Sequence, residues 1–205
     1  GAGENASQFF CEGMLYCSKT YRKEIPLDPA KVFEKWVNEA ISGMRSLFDD
    51  DQLAEQAHTT CAVLYLDEQR TITAHCGDSR VYRLNPKEIV WRTRDHSVPQ
   101  DLLTVGLITE DELATHPEQN HLTRSINVNK DYPVEISLHP PIEKDETFAL
   151  CSDGFWANVK VEELLLLSDL ESNIDQLNRL AKLSMYRANG NSDNLTLMTV
   201  RCKHG

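Results

Sequence analysis

The stretch "ALCSDGFWANV", residues 149–159, runs apolar and then breaks. Phe148, Ala149, Leu150 and Cys151 read as a buried strand; Ser152-Asp153-Gly154 follows at once, and then the bulky Phe155-Trp156 pair. Asp and Gly are ordinary turn residues. A carboxylate carried to a turn by a core strand is also what a metal site requires. Two further places repeat the design. "HCGDSRVYRL" (75–84) sets Asp78 just beyond a strand and a glycine, and "SDNLTLMTV" (192–200) sets Asp193 just before the last strand. Each presents one carboxylate from the tip of a rigid element, where a site is held closely. Hard oxygen ligands without Cys or His beside them favour Mg²⁺ or Mn²⁺ over Zn²⁺.

Composition narrows the class. A chain of 205 residues suits a single domain, residues 1–205, with a core that needs no staples. Hydrophobic residues at 40% and charged residues at 26% fit a soluble globular protein. A net charge of -11 argues against a nucleic-acid partner, because phosphate backbones call for clustered Lys and Arg. No apolar run is long enough for a membrane span, and no signal-peptide pattern opens the chain. The six cysteines (Cys11, Cys17, Cys61, Cys76, Cys151, Cys202) form no C-x-x-C pair. Cys61, Cys76, Cys151 and Cys202 lie in apolar, strand-like runs and read as buried free thiols of a cytoplasmic protein.

Hydrophobic periodicity orders the elements. Glu4 to Tyr21 reads as a helix, with Ala6, Phe9, Phe10, Gly13, Met14 and Cys17 at three-to-four spacing. Asp28 caps a second helix with Pro29 in its first turn, and Val32, Phe33, Trp36, Val37, Ala40, Ile41, Met44 and Leu47 form its stripe. Asp49-Asp50-Asp51 reads as a solvated bend. Runs at 59–66, 71–76, 81–84 and 89–93 predict an antiparallel meander. Residues 97–117 read as helical, broken at Gly106. Strands follow at 122–126, 134–138 and 147–151, helices at 161–167 and 174–186, and a closing strand at 195–202. Helices and antiparallel strands segregate in blocks, which is an α+β pattern.

In order and context these motifs resemble the metal-dependent serine/threonine protein phosphatases of the PP2C (PPM) family. The matching stretches are "HTTCAVLYL", "HCGDSRVYRL", "TRDHSVPQDLLTVGLIT", "HPEQNHLTRSI", "ALCSDGFW" and "SDNLTLMTV", over about residues 57 to 201. "TRDHSVPQ", "GLITEDEL" and "HPEQN" look most like small bacterial members, some of which accompany type VI secretion and reverse Hanks-type kinases. The resemblance implies an αββα sandwich of two antiparallel sheets flanked by helices. It implies two catalytic Mn²⁺ or Mg²⁺ ions plus a weaker third. Asp153 and Asp193 match ligands of the first catalytic metal. Asp78 matches the ligand of the third, which Asp153 also touches, and Gly154 matches a tight turn that brings the backbone close. Asp95-His96-Ser97 matches the family's "DHS", a scaffold and flap-hinge element. Residues 98–120 match the flap, with Leu102, Leu103, Val105, Leu107 and Ile108 expected to pack it and Glu110, Asp111 and Glu112 to face water. Phosphorylated proteins are the implied substrates and a Ser/Thr kinase the counteracting partner, with a monomer expected.

The family also places a phosphate-binding arginine, an acidic "ED" ligand and a bridging Asp-Gly before its first long helix. These are expected upstream of Gly1, in a segment of about 35 to 45 residues. Without them the chain as given is expected to be inactive or nearly so. The alternative is a catalytically inactive relative acting as a binding or regulatory module. Other residues read as structural: His58, His75, His121 and His139 as core or surface histidines without ligand spacing, Arg80 and Arg124 as partners of acids inside the sandwich, and Trp36, Trp91 and Trp156 as core aromatics.

Overall fold

Helix α1 (Ala2–Tyr21) buries Ala6, Phe10, Met14 and Cys17, and α2 (Pro29–Ser46) buries Phe33, Trp36, Val37, Ala40 and Met44. The Asp28 side chain accepts from the Lys31 N–H at 3.3 Å and Pro29 opens the first turn, so α2 begins where its cap requires. The computed structural model describes residues 1–48, 57–129, 134–169, 174–189 and 194–202. The acidic run 49–51 lies outside them.

The strands form two main antiparallel sheets. One has the order β2 (Cys61–Leu66), β3 (Thr71–Cys76), β7 (Glu135–His139). The other has the order β5 (Ile89–Arg92), β4 (Arg80–Leu84), β8 (Thr147–Cys151), β9 (Leu197–Arg201). A small pair joins β1 (His58–Thr59) to β6 (Ile126–Asn127). The expected single meander is thus divided: β2 and β3 belong to one sheet, β4 and β5 to the other, and the chain crosses between sheets at Gly77-Asp78-Ser79. The predicted strand at 122–126 is reduced to β6 and one bridge between Ser97 and Leu122. Its backbone is spent on the 95–97 segment instead, with Thr123 N–H donating to the His96 carbonyl.

Alternation assigns the faces. On β3, Ile72, Ala74 and Cys76 join α1 and α2 in one core cluster. On β4 and β8, Tyr82, Leu84, Ala149 and Cys151 join a second cluster with Phe155, Trp156, Leu164, Leu167 and Leu180 from α4 (Asp153–Trp156), α5 (Val161–Leu165), the 3-10 turn after it and α6 (Ile174–Arg187). The opposite faces of the sheets meet between these clusters. There Trp91 stacks on His139 with centroids 4.3 Å apart, and Arg83 pairs with Glu146. The layers run helix, sheet, sheet, helix.

Several side chains depart from expectation. Trp91 is only half-buried, because β5 is an edge strand. All six cysteines are free, but Cys11 and Cys202 are exposed; Cys202 falls one residue beyond β9. The 98–120 insert begins with α3 (Val98–Thr104), breaks at Gly106 with φ +76°, and continues as a 3-10 turn over Glu110–Thr115. Val105 and Leu107 are 70% and 72% exposed; Pro99, Gln100 and Leu113 are the buried residues of the insert. Glu110 does not simply face water, since Arg92 holds both its carboxylate oxygens at 2.6 and 2.8 Å.

Candidate metal centre

Asp153 sits at the first position of α4, one residue (Ser152) beyond the end of β8. The expected turn is a one-turn helix, in which the Phe155 and Trp156 N–H groups donate back to the Ser152 carbonyl. Ser152 precedes this helix without capping it. Its hydroxyl donates instead to the Asn194 carbonyl at 2.9 Å and accepts from the Thr196 N–H at 2.9 Å. The end of β8 is thereby tied to the approach to β9. Asp193 itself lies outside the described residues; its neighbour Asn194 is held against Ser152, the neighbour of Asp153.

Gly154 is buried with helical backbone, not a left-handed turn; the positive-φ glycines among the described residues are Gly77 and Gly106. Its carbonyl accepts from the Ser184 hydroxyl at 2.8 Å and from Asn158 Nδ2 at 3.2 Å. Both lone pairs are committed, so Gly154 anchors the Asp153 turn to α6 and offers no ligand oxygen.

Asp78 lies in the crossing between sheets and is 8% exposed. Its own carbonyl accepts from the Trp156 indole N–H at 2.9 Å, which joins the Asp78 crossing to the helix that begins at Asp153. Burial, followed by repulsion from the Asp153 and Asp95 carboxylates, pushes the Asp78 carboxyl up to about 7. Arg80 offsets this only as the smallest of the causes. Its guanidinium is spent on both Asp95 oxygens (2.8 and 2.6 Å) and the Tyr82 hydroxyl (2.7 Å), and it lies 3.4 Å over the Trp156 ring. The expected pairing of Arg80 with an acid inside the sandwich is Arg80–Asp95. A buried carboxyl whose ionisation is opposed by a second carboxylate, with only oxygen donors, fits a hard divalent cation.

A second group comes together that sequence spacing did not show: His75, His96 and Glu135 offer ligand atoms within 4.8 Å of one another. Its geometry does not suit a metal. The two imidazoles are stacked, centroids 4.7 Å apart and planes 3° from parallel. A ligand lone pair lies in the ring plane, and two parallel planes share no point where one ion could sit. His75 Nε2 also donates to the Arg94 carbonyl at 2.8 Å, and His96 Nδ1 accepts from the Gly77 N–H at 3.2 Å.

No family model matches the chain. The serine/threonine phosphatase stp of Listeria welshimeri is 26% identical over 205 residues, covering 97% of this chain and 79% of its own length. A putative protein phosphatase 2C-type of Streptococcus pyogenes is 31% identical over 143 residues, covering 69% of this chain and 57% of its own length. The crystal structure of the Mycobacterium tuberculosis serine/threonine phosphatase PstP/Ppp superposes with a TM-score of 0.86, 24% identity and coverage of 99% of this chain and 83% of that one. A PstP catalytic domain solved with two manganese ions superposes at TM-score 0.78, 22% identity and coverage of 97% and 80%.

The chain belongs to the PP2C-type serine/threonine protein phosphatases.

For a PP2C-type chain the disposition of the acids is coherent. Asp78 at the crossing between sheets and Asp153 after β8 come from different sheet connections and meet at one end of the layered strands. No thiol competes as a nucleophile beside them: Cys151, two residues before Asp153, is buried and pushed up to about 12. Among the described residues no helix is long and apolar enough to cross a membrane.

Proposed function

We propose that this protein removes phosphate from phosphoserine and phosphothreonine in other proteins, using Mn²⁺ or Mg²⁺ held by Asp153, Asp193 and Asp78. The observation that carries the reading is the buried Asp78 carboxyl set beside Asp153, with Arg80 already consumed by Asp95. When bound, divalent cations of this kind supply a water nucleophile at neutral pH and polarise the phosphoryl oxygens. The chain's own part is positional. Ser152 and Ser184 fix the backbone on either side of Asp153, and Trp156 fixes the backbone of Asp78.

Two catalytic ions with a weaker third at Asp78 are part of this proposal, and the manganese pair in the PstP complex agrees with two. The 98–120 insert is assigned the role of a substrate flap in a single-domain, monomeric, cytoplasmic enzyme opposed by a Ser/Thr kinase. The full-length protein should hydrolyse p-nitrophenyl phosphate and a phosphothreonine peptide with added Mn²⁺ and lose both activities in EDTA. Undiminished turnover in EDTA would contradict the metal assignment.

A further inference from the structure

The geometry points to His96 as a positioning residue for Asp78, acting through the Nε2–H tautomer of its imidazole. The direction in which the chain enters Asp78 is set by Gly77 before it, which carries a φ of +95° just beyond the end of β3. His96 grips that glycine from both sides. Its backbone N–H donates to the Gly77 carbonyl at 2.9 Å, and its ring Nδ1 accepts from the Gly77 N–H at 3.2 Å. A nitrogen that accepts carries no proton, so the proton of the neutral ring lies on Nε2.

The surroundings enforce this arrangement. His96 is 8% exposed, and its ring plane is pinned by the parallel ring of His75. His75 is itself fixed by its Nε2–H donating to the Arg94 carbonyl. Glu135 on β7 stands 3.4 Å from His96 Nε2 without a formed hydrogen bond, its negative charge favouring a proton on that nitrogen, and Arg124 is a further charge close to the ring. Burial, His75 and Arg124 together hold the ring neutral. Losing the Nδ1 acceptor would leave the Gly77 N–H orphaned in a buried turn, immediately before the Asp78 carboxylate.

This inference rests on the reading of Asp78 as a metal ligand, and the test separates the two. In the full-length protein, Mn²⁺ binding is followed by titration calorimetry, with no turnover required. His96→Gln keeps a polar group toward Glu135 but has no acceptor at the Nδ1 position. His96→Asn places its Oδ1 where Nδ1 stands. The weakest Mn²⁺ site should lose about tenfold or more in affinity in His96→Gln, within the usual range for outer-shell partners, and recover in His96→Asn. Equal Mn²⁺ affinity in His96→Gln and wild type would overturn the positioning role. Asp78→Asn serves as the reference: if it leaves all Mn²⁺ binding unchanged, the ligand reading fails whatever His96 does. The wild-type imidazole ¹⁵N shifts test the tautomer without any variant. They should report Nε2 protonated and Nδ1 bare; a protonated Nδ1 would overturn the inference.

Discussion

The indole N–H of Trp156 donates to the backbone carbonyl of Asp78 at 2.9 Å, across 78 positions of sequence. One hydrogen bond therefore links the "GDSR" crossing between sheets to the "SDGFW" helix. Trp156→Phe keeps most of the buried ring but leaves that carbonyl unsatisfied. A loss of about 1–3 kcal/mol is expected, read from the urea midpoint at unchanged slope.

Arg80 and Asp95 form a two-pronged ion pair with side chains only 5% and 2% exposed. Removing one partner leaves a buried charge without compensation. Asp95→Asn should cost about 3–5 kcal/mol. Arg92–Glu110 offers the exposed comparison within the same network, since Arg92 also lies 3.8 Å from Asp95. With Glu110 about half exposed, Glu110→Gln should cost less than about 1 kcal/mol. Similar losses in the two variants would contradict the burial argument.

Gly77 combines φ +95° with close packing, since a Cβ there would stand 2.8 Å from Thr60 Cβ and closer still to its Cγ2. Gly77→Ala must pay for both the left-handed backbone and the clash. Destabilisation of about 2 kcal/mol or more is expected by denaturant titration. Gly106 offers the contrast, with φ +76° but open space around it, so Gly106→Ala should carry the backbone cost alone.

The Asp78 carboxyl gives a pH signature in the metal-free protein. Its folded value, about 7, is above its ordinary carboxylate value, so the folded state binds the extra proton. Its contribution to stability is complete below about pH 4 and is lost as the pH rises to 7. Metal-free protein should therefore gain stability from pH 7.5 to pH 5.5 relative to Asp78→Asn, which lacks this titration. Added Mn²⁺ should raise the melting temperature more at pH 7.5 than at pH 5.5, because proton and cation compete for the same oxygens. An identical pH profile in Asp78→Asn would contradict the assignment.

The α+β order and most elements were legible because their signals are local. Asp28-Pro29 opens α2, the stripe of Phe33, Trp36, Val37 and Met44 faces the core, and Gly106 breaks the insert. The division of the strands between two sheets was not legible. Nothing in residues 71–84 distinguishes a hairpin from a crossing; the difference lies in the Gly77 backbone and its Thr60 and His96 neighbours. The acids Asp78 and Asp153 could be singled out from strand ends and glycines, but the commitment of the Gly154 carbonyl depends on Ser184, 30 positions away. The His75–His96 stack was equally hidden, since its rings come from segments that alternation alone does not bring together.

The central claim is that Asp153 is a ligand of the metal that hydrolyses phosphoserine and phosphothreonine. The most direct measurement is Mn²⁺-dependent dephosphorylation of a phosphothreonine peptide by full-length wild type and Asp153→Asn, with both shown to be folded. The account predicts robust, EDTA-sensitive turnover in the wild type and its loss in Asp153→Asn. Full activity in Asp153→Asn would contradict it.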